Sequence, residues 1–210
     1  MLWEEIISLV EKQSDEDYDA ADWTELINLL QEELTPLAKM PGSKEGVSVT
    51  VTGGKAEITL ADDADLATAY MIRHVFYTPT VEGGKEVQLR RLQPFHSIKG
   101  WKQDDAKIYL QGLGTETAGT VRVEFYKRLS QVVYAEGPPE TFTPTGPEIP
   151  EEFHYIYVPG LCMKSQQREE EPEDKRDFEA EYKEAKQAFA VARIAQMEPW
   201  NIKYLQGGGS

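Results

Sequence analysis

The sequence predicts an α+β fold in which N- and C-terminal helices form a helical bundle that carries an inserted antiparallel β lobe. Three observations predict it. Apolar residues recur at helical spacing before residue 40 and again after residue 150. Between these stretches the period drops to two, as Val47, Val49 and Val51 alternate with Ser48, Thr50 and Thr52. Two Gly-Gly turns, Gly53-Gly54 and Gly83-Gly84, punctuate that middle region. The expected boundaries are N-terminal helices over 1–45, a β-rich insertion over 46–128, a Pro-rich connecting loop over 129–150, C-terminal helices over 151–198 and an extended tail over 199–210.

Leu2–Lys12 reads as a short amphipathic helix, with Leu2, Ile6, Leu9 and Val10 on one face. The polar run Ser14–Asp19 breaks it. Asp22 is the expected N-cap of a second helix, with Glu25 at the reciprocal capping position. That helix passes through Trp23, Leu26, Ile27, Leu30 and Leu34, and Pro36 kinks or stops it. From Gly46 the first strand runs into the Gly53-Gly54 turn, and Lys55–Leu60 is its return strand. Ala69–Thr78, Val81–Arg90, Lys107–Leu110 and Thr120–Lys127 bring the sheet to about six strands, an ordinary size.

Residues 131–150 contain five prolines and two glycines and show neither helical nor strand periodicity. A connection of that length is functional or linking, and proline makes it semi-rigid. A helix follows over Glu151–Glu170, kinked at Pro159-Gly160. Pro172 suits the first turn of the last helix, whose apolar stripe is Phe178, Tyr182, Ala185, Phe189 and Ala192. Pro199 stops it.

The net charge of −15 is unevenly placed. Residues 1–40 carry eleven acids and two bases, residues 41–130 eleven acids and twelve bases, and residues 131–210 fifteen acids and eight bases. A chain this acidic is repelled by nucleic acid unless it hides a basic face. The one place where bases and an aromatic interleave, Arg90-Arg91 with Lys99, Trp101 and Lys102, adjoins Asp104-Asp105 and reads better as sheet-edge charge. The single cysteine, Cys162, precludes a disulfide within the chain, and the opening MLWEEIISLV lacks the basic region of a signal peptide. No run is long enough to span a bilayer, so the expectation is a soluble chain made in the cytoplasm.

No constellation of catalytic residues emerges. His74, His96 and His154 are isolated from one another and from Cys162, so no metal site is expected. Gly112-Leu113-Gly114 starts like a dinucleotide fingerprint, but Thr117 occupies the place of the next glycine. The Gly-Gly-Lys turns are followed by Ala56 and Glu86 where a phosphate loop needs Ser or Thr. The acidic runs at Asp15–Asp19, Asp62–Asp65 and Glu169–Asp174 lack calcium-loop spacing and read as solvated faces and helix starts. The chain is therefore expected not to be an enzyme and to need no cofactor.

The order of elements carries a resemblance. DWTELINLLQEEL precedes a β-rich stretch ending in TVRVEFYKRLSQV. A Pro-rich turn then leads into PEIPEEFHYIYVPGLCMKSQQREEEPEDKRDFEAEYKEAKQAF. This resembles the head–tail adaptor (connector, head-completion) proteins of tailed bacteriophages. Their V-x-V-x-Y type strand leads to a P-x-I-P-x-x-F-H helix start and an F-x-x-x-Y-x-x-A stripe, here Phe178, Tyr182 and Ala185. Val121–Phe189 carries the resemblance most strongly.

The resemblance implies a structural adaptor in the virion neck, between capsid and tail. Copies would form a ring, a dodecamer matching the portal protein, that extends the DNA channel and receives tail or nozzle proteins on its far face. DNA would pass through without specific binding, and no membrane is involved. The expected partner-binding residues are Trp200, Ile202, Tyr204 and Leu205 in the tail and Tyr134 and Phe142 in the Pro-rich loop, since large aromatics in such places act as interface anchors. Two alternatives remain open from the residues alone. One is a β-lobe module binding a carbohydrate or receptor through Tyr70, Phe76, Tyr77 and Trp101; the other is an acid–base hydrolase using a desolvated carboxylate.

Overall fold

Two units share the chain in the computed structural model, which describes residues 1–14, 18–81, 84–92, 99–104, 106–115, 117–136, 141–168 and 177–197. One unit is Met40–Arg128; the other joins Met1–Lys39 to the chain from Leu129 onward.

The Met40–Arg128 unit contains strands β1 (Met40–Thr50), β2 (Lys55–Thr59), β3 (Ala69–Pro79), β4 (Val87–Arg91), β5 (Gly100–Asp104), β6 (Lys107–Gln111) and β7 (Ala118–Lys127), with a one-turn helix α3 (Ala64–Ala67) capped by Asp63. They form one sheet in the order β1-β7-β3-β4-β5-β6-β2. All neighbours are antiparallel except β4 and β5, which run parallel. The two edge strands are consecutive in sequence and meet at the Gly53-Gly54 turn, where both residues take positive φ (59° and 73°). The sheet therefore curls toward closure as a near-barrel around Val49, Ile58, Tyr77, Trp101, Val121 and Val123.

This overturns the expected fold class. The β part is not a small antiparallel lobe inserted into a helical bundle. It is a seven-stranded mixed near-barrel with its own core, and it makes the chain sheet-rich. The reason lies in pairing. The Gly53-Gly54 turn predicts a hairpin, yet only Thr52 and Lys55 bridge across it. β1 pairs instead with β7, from Met40 opposite Lys127 to Thr50 opposite Ala118, and β2 pairs with β6. Partners this distant in sequence leave no local signal. β1 also starts at Met40, seven residues before its valine alternation begins at Val47, with Pro41 tolerated because the strand is an edge. A register shift falls between Lys44 and Val47, where Gly46 takes φ 70°.

The other unit holds α1 (Trp3–Ser14), α2 (Ala20–Ala38), β8 (Val133–Ala135), β9 (Thr141–Thr143), a 3₁₀ turn (Glu151–Ile156), α4 (Tyr157–Arg168) and α5 (Phe178–Met197). Asp19, not Asp22, is the N-cap of α2: its carboxylate accepts from the Asp22 amide at 2.9 Å. The helix continues through Pro36 to Ala38 and closes on Lys39 in the left-handed conformation. The Pro-rich stretch is not structureless, because β8 and β9 pair as an antiparallel hairpin. The segment after Pro150 opens as a 3₁₀ turn, so Pro159 falls in the first turn of α4, where its missing N–H costs no intrahelical bond. Asp177 caps α5 by accepting from the Ala180 amide at 3.0 Å; the expected start at Pro172 lies outside the described residues. The core joins Trp3, Ile6, Leu26, Leu30, Tyr157, Leu161, Phe178 and Phe189, all buried. Gly160 lets α2 and α4 approach closely, since a Cβ there would meet Leu30 Cδ2 at 2.8 Å. Trp3 and Ile7 take buried places in α1, while Leu2 and Leu9 of the predicted stripe stay exposed.

Candidate functional site

The β8–β9 hairpin is positioned by a polar ladder on α2. Asn28, Gln31 and Thr35 stand at i, i+3 and i+7, one stripe of the helix beside its apolar face. Asn28 Nδ2 donates to the Val132 carbonyl at 3.0 Å, and the Val132 amide donates to Asn28 Oδ1 at 2.7 Å. Gln31 Nε2 donates to the Ser130 carbonyl at 2.6 Å, and the Leu129 amide donates to Thr35 Oγ1 at 3.2 Å. Three side chains thus satisfy the backbone of 129–132 as a neighbouring strand would. On the far side, the Ser130 amide donates to Glu148 Oε2 at 2.7 Å. His154 is buried and its Nε2 donates to the Ile149 carbonyl at 2.8 Å, fixing the exit of the segment.

The hairpin brings Tyr134 and Phe142 together as direct cross-strand partners, their ring centroids 5.2 Å apart. Phe142 is buried and Tyr134 half-buried, while the adjacent Val133 is 62% exposed. The other four expected partner-binding residues, Trp200, Ile202, Tyr204 and Leu205, lie outside the described residues. Sequence reasoning missed Val191 and Ile194, which stand 60% and 51% exposed on the last turns of α5. Their i, i+3 spacing on the side away from the Phe178–Tyr182–Phe189 stripe was the available signal.

The helices beneath are tied by charge. Lys186 of α5 donates to Glu33 Oε1 of α2 at 2.5 Å, and Lys164 of α4 lies 3.3 Å from the other carboxylate oxygen. Burial works against ionising Glu33, but these two lysines outweigh it and hold the carboxyl below its usual range. Arg168 of α4 pairs with Asp22 at 2.8 Å and with Glu25. Arg193 donates to the Ala38 carbonyl at 2.9 Å and so completes the C-terminus of α2. These contacts hold a scaffold; none presents a reactive group to a cleft.

The residues of the alternative readings do not converge. Tyr77 and Trp101 are buried in the near-barrel core. One face of Phe76 is covered by the Arg122 guanidinium, 3.7 Å from the ring centre, which is itself fixed by Glu86 and Glu124. Tyr70 is exposed without them. His74 contacts Gln88 at the surface, His96 is outside the described residues, and Cys162 is a buried core thiol. Among the described residues no group of three or more His, Cys, Asp or Glu side chains could hold a metal ion, and no helix is long and apolar enough to cross a membrane.

Comparison with known proteins adds a family. A family model described as SU10 adaptor protein matches residues 1–203. No curated protein matches the chain. The match spans both units, including the hairpin, the α2 ladder that holds it and the near-barrel. The chain therefore belongs to the SU10 adaptor protein family, in agreement with its resemblance to phage head–tail adaptors, and its role is that of a structural phage adaptor.

Proposed function

We propose that copies of this chain assemble into a ring, a dodecamer, between the portal protein and the tail or nozzle of a tailed phage, in the neck of the virion. The family match over residues 1–203 carries this reading. The surface supports it: Val133 on the hairpin and Val191 and Ile194 on α5 are large apolar side chains left uncovered in a single copy. Tyr134 and Phe142 stiffen the hairpin that presents the first of these, and Trp200, Ile202, Tyr204 and Leu205 are further anchors for neighbours. The net charge of −15 suits a wall along which DNA slides, because acidic surface repels the phosphate backbone.

The test is solution mass with and without a portal ring. The expected result is a small species alone that joins the portal as a closed ring. A chain that never associates with any portal, under conditions where the portal is intact, would overturn the reading.

A further inference from the structure

The near-barrel concentrates positive charge at one place. β4 ends and β5 begins side by side in parallel register, with Arg90 opposite Gly100 and Arg91 opposite Trp101. Arg90, Arg91, Lys99 and Lys102 therefore gather at one corner, all exposed. The sequence from Val87 to Gln103 contains these four bases and no acid. The β6 residues opposite Gly100, Trp101 and Lys102 are Gln111, Leu110 and Tyr109, again without an acid. Arg91 and Lys102 lie over the rings of Trp101 and Tyr109, at 5.5 and 5.1 Å, and among the described residues none of the four bases forms an ion pair. Val87, at the other end of β4, is 41% exposed. One strand thus offers an apolar group and cations within about 10 Å of each other.

The helical unit has the complementary surface. A groove of about 490 Å³ opens between α1, α4 and α5, and the large, exposed Leu9 and Tyr155 stand on its walls. Its rim is acidic: Glu184 of α5 lines it, and Glu4 and Glu5 of α1 border the adjoining hollow that shares Leu9. Lys12 also borders that hollow, and the Met1 ammonium there is held by Glu151 at 3.5 Å. Arg168 already neutralises Asp22 and Glu25, and Lys186 and Lys164 neutralise Glu33. Among the described residues Glu4, Glu5 and Glu184 form no such pair.

We propose that the β4–β5 corner of one copy docks on the acid-rimmed groove of a second copy. Charge complementarity selects this occupant: four unpaired bases meet unpaired carboxylates, with Val87 beside them for the apolar wall. The two surfaces differ, so the contact is head-to-tail, the kind a closed ring requires. The contact deepens the ring reading and rests on it for its place in the virion. DNA fits the corner less well, because a chain of net charge −15 repels phosphate.

Isotope-labelled and unlabelled copies of the full chain, mixed at high concentration and low salt and treated with a carbodiimide, test the contact without a portal. The expected product is an amide between Lys99 or Lys102 of one copy and Glu4 or Glu184 of another, read as a peptide pair of mixed isotope. No such pair, or pairs of a single isotope only, overturns the proposal. Charge exchange gives a second readout. Arg90→Glu with Lys102→Glu, and Glu4→Lys with Glu184→Lys, alter exposed side chains and should leave the melting temperature unchanged. Each variant alone should self-associate about tenfold more weakly, since like charges then face one another. An equal mixture of the two should recover, because every altered corner meets an altered rim. Unchanged association of either variant, or a mixture that does not recover, overturns the proposal, as does a corner variant that associates normally but retains less DNA. A chain that fails to join a portal yet gives the mixed-isotope pair refutes the ring and keeps the contact; one that joins a portal without that pair keeps the ring and refutes the contact.

Discussion

Asn28 holds Val132 by a reciprocal pair of hydrogen bonds, its amide nitrogen on the Val132 carbonyl at 3.0 Å and its amide oxygen on the Val132 N–H at 2.7 Å. Val132 is buried, so no water stands ready to replace either bond. Asn28→Leu keeps the volume and removes both partners. It should cost about 2–3 kcal/mol, the penalty of stranding buried backbone groups. Urea denaturation measures this, and backbone amide exchange should show Val132 losing protection ahead of the α2 core.

Tyr134 and Phe142 face one another across the hairpin but differ in burial, and that separates their roles. Phe142→Ala should destabilise the helical unit by about 3 kcal/mol, as truncation of a buried Phe does. Tyr134→Ala should cost under about 1 kcal/mol in the free chain, because its ring is already partly in water. It should nonetheless weaken assembly, read as a lower yield of rings on a portal template. A variant that melts normally and assembles normally would remove Tyr134 from the interface.

How much was legible follows the range of each signal. The stripe Phe178, Tyr182, Ala185 and Phe189 was readable because helical packing repeats locally, and all four are buried. The Val47–Val51 alternation was readable for the same reason. The partner of that strand was not. Nothing near Val49 announces Gly119 opposite it, and the local Gly-Gly turn points to the wrong neighbour. The hairpin in the Pro-rich stretch was hidden because three-residue strands are too short for periodicity, and its support comes from Asn28, Gln31 and Thr35, about a hundred residues away. Of the candidate site, Tyr134 and Phe142 were visible as aromatics among prolines. Val133 and Val191 were not, since an exposed valine looks like a core valine until the fold is known.

Glu33 makes the helical unit sensitive to acid. Its carboxyl is held below the usual 4.5 in the folded chain by Lys186 and Lys164 against the opposing effect of burial. A group depressed in this way stabilises the fold above its unfolded pKa, and that contribution is lost as pH falls through the folded value. Glu33→Gln should therefore be less stable than the unaltered chain at pH 7, by under about 1 kcal/mol because the cluster is a third exposed. The difference should shrink as pH drops below about 4. Urea midpoints of both chains at pH 7, 5 and 3.5 decide it; a gap that stays constant across that range would mean the lysines do not act through the carboxylate.

The Tyr157 hydroxyl is buried, and among the described residues it has no hydrogen-bond partner. Burial, and then the negative charge of Glu148, push its pKa far above the usual 10, so it stays neutral throughout the accessible range. A buried hydroxyl without a partner is a cost, and Tyr157→Phe removes it while keeping the ring edge-to-face with Trp3 at 4.9 Å. Stability should be unchanged or higher by about 1 kcal/mol. Calorimetry checks this, and a loss of similar size would show that the hydroxyl is satisfied in solution.

Removal of Pro199–Ser210 separates folding from assembly. The core of the helical unit closes on Phe178, Tyr182 and Phe189, all before the cut, and α5 ends at Met197. The truncated chain should therefore keep its helix content and a cooperative melt within a few degrees of the full chain, because the core residues named above all precede the cut and chain termini tolerate truncation. Ring formation on a portal should fail, since Trp200, Ile202, Tyr204 and Leu205 are lost together. Circular dichroism and mass measurement on a portal template read the two effects independently. A truncated chain that still completes rings would shift the docking role from the tail to the hairpin and to Val191 and Ile194, whereas one that fails to fold would show that the segment belongs to the core of the helical unit.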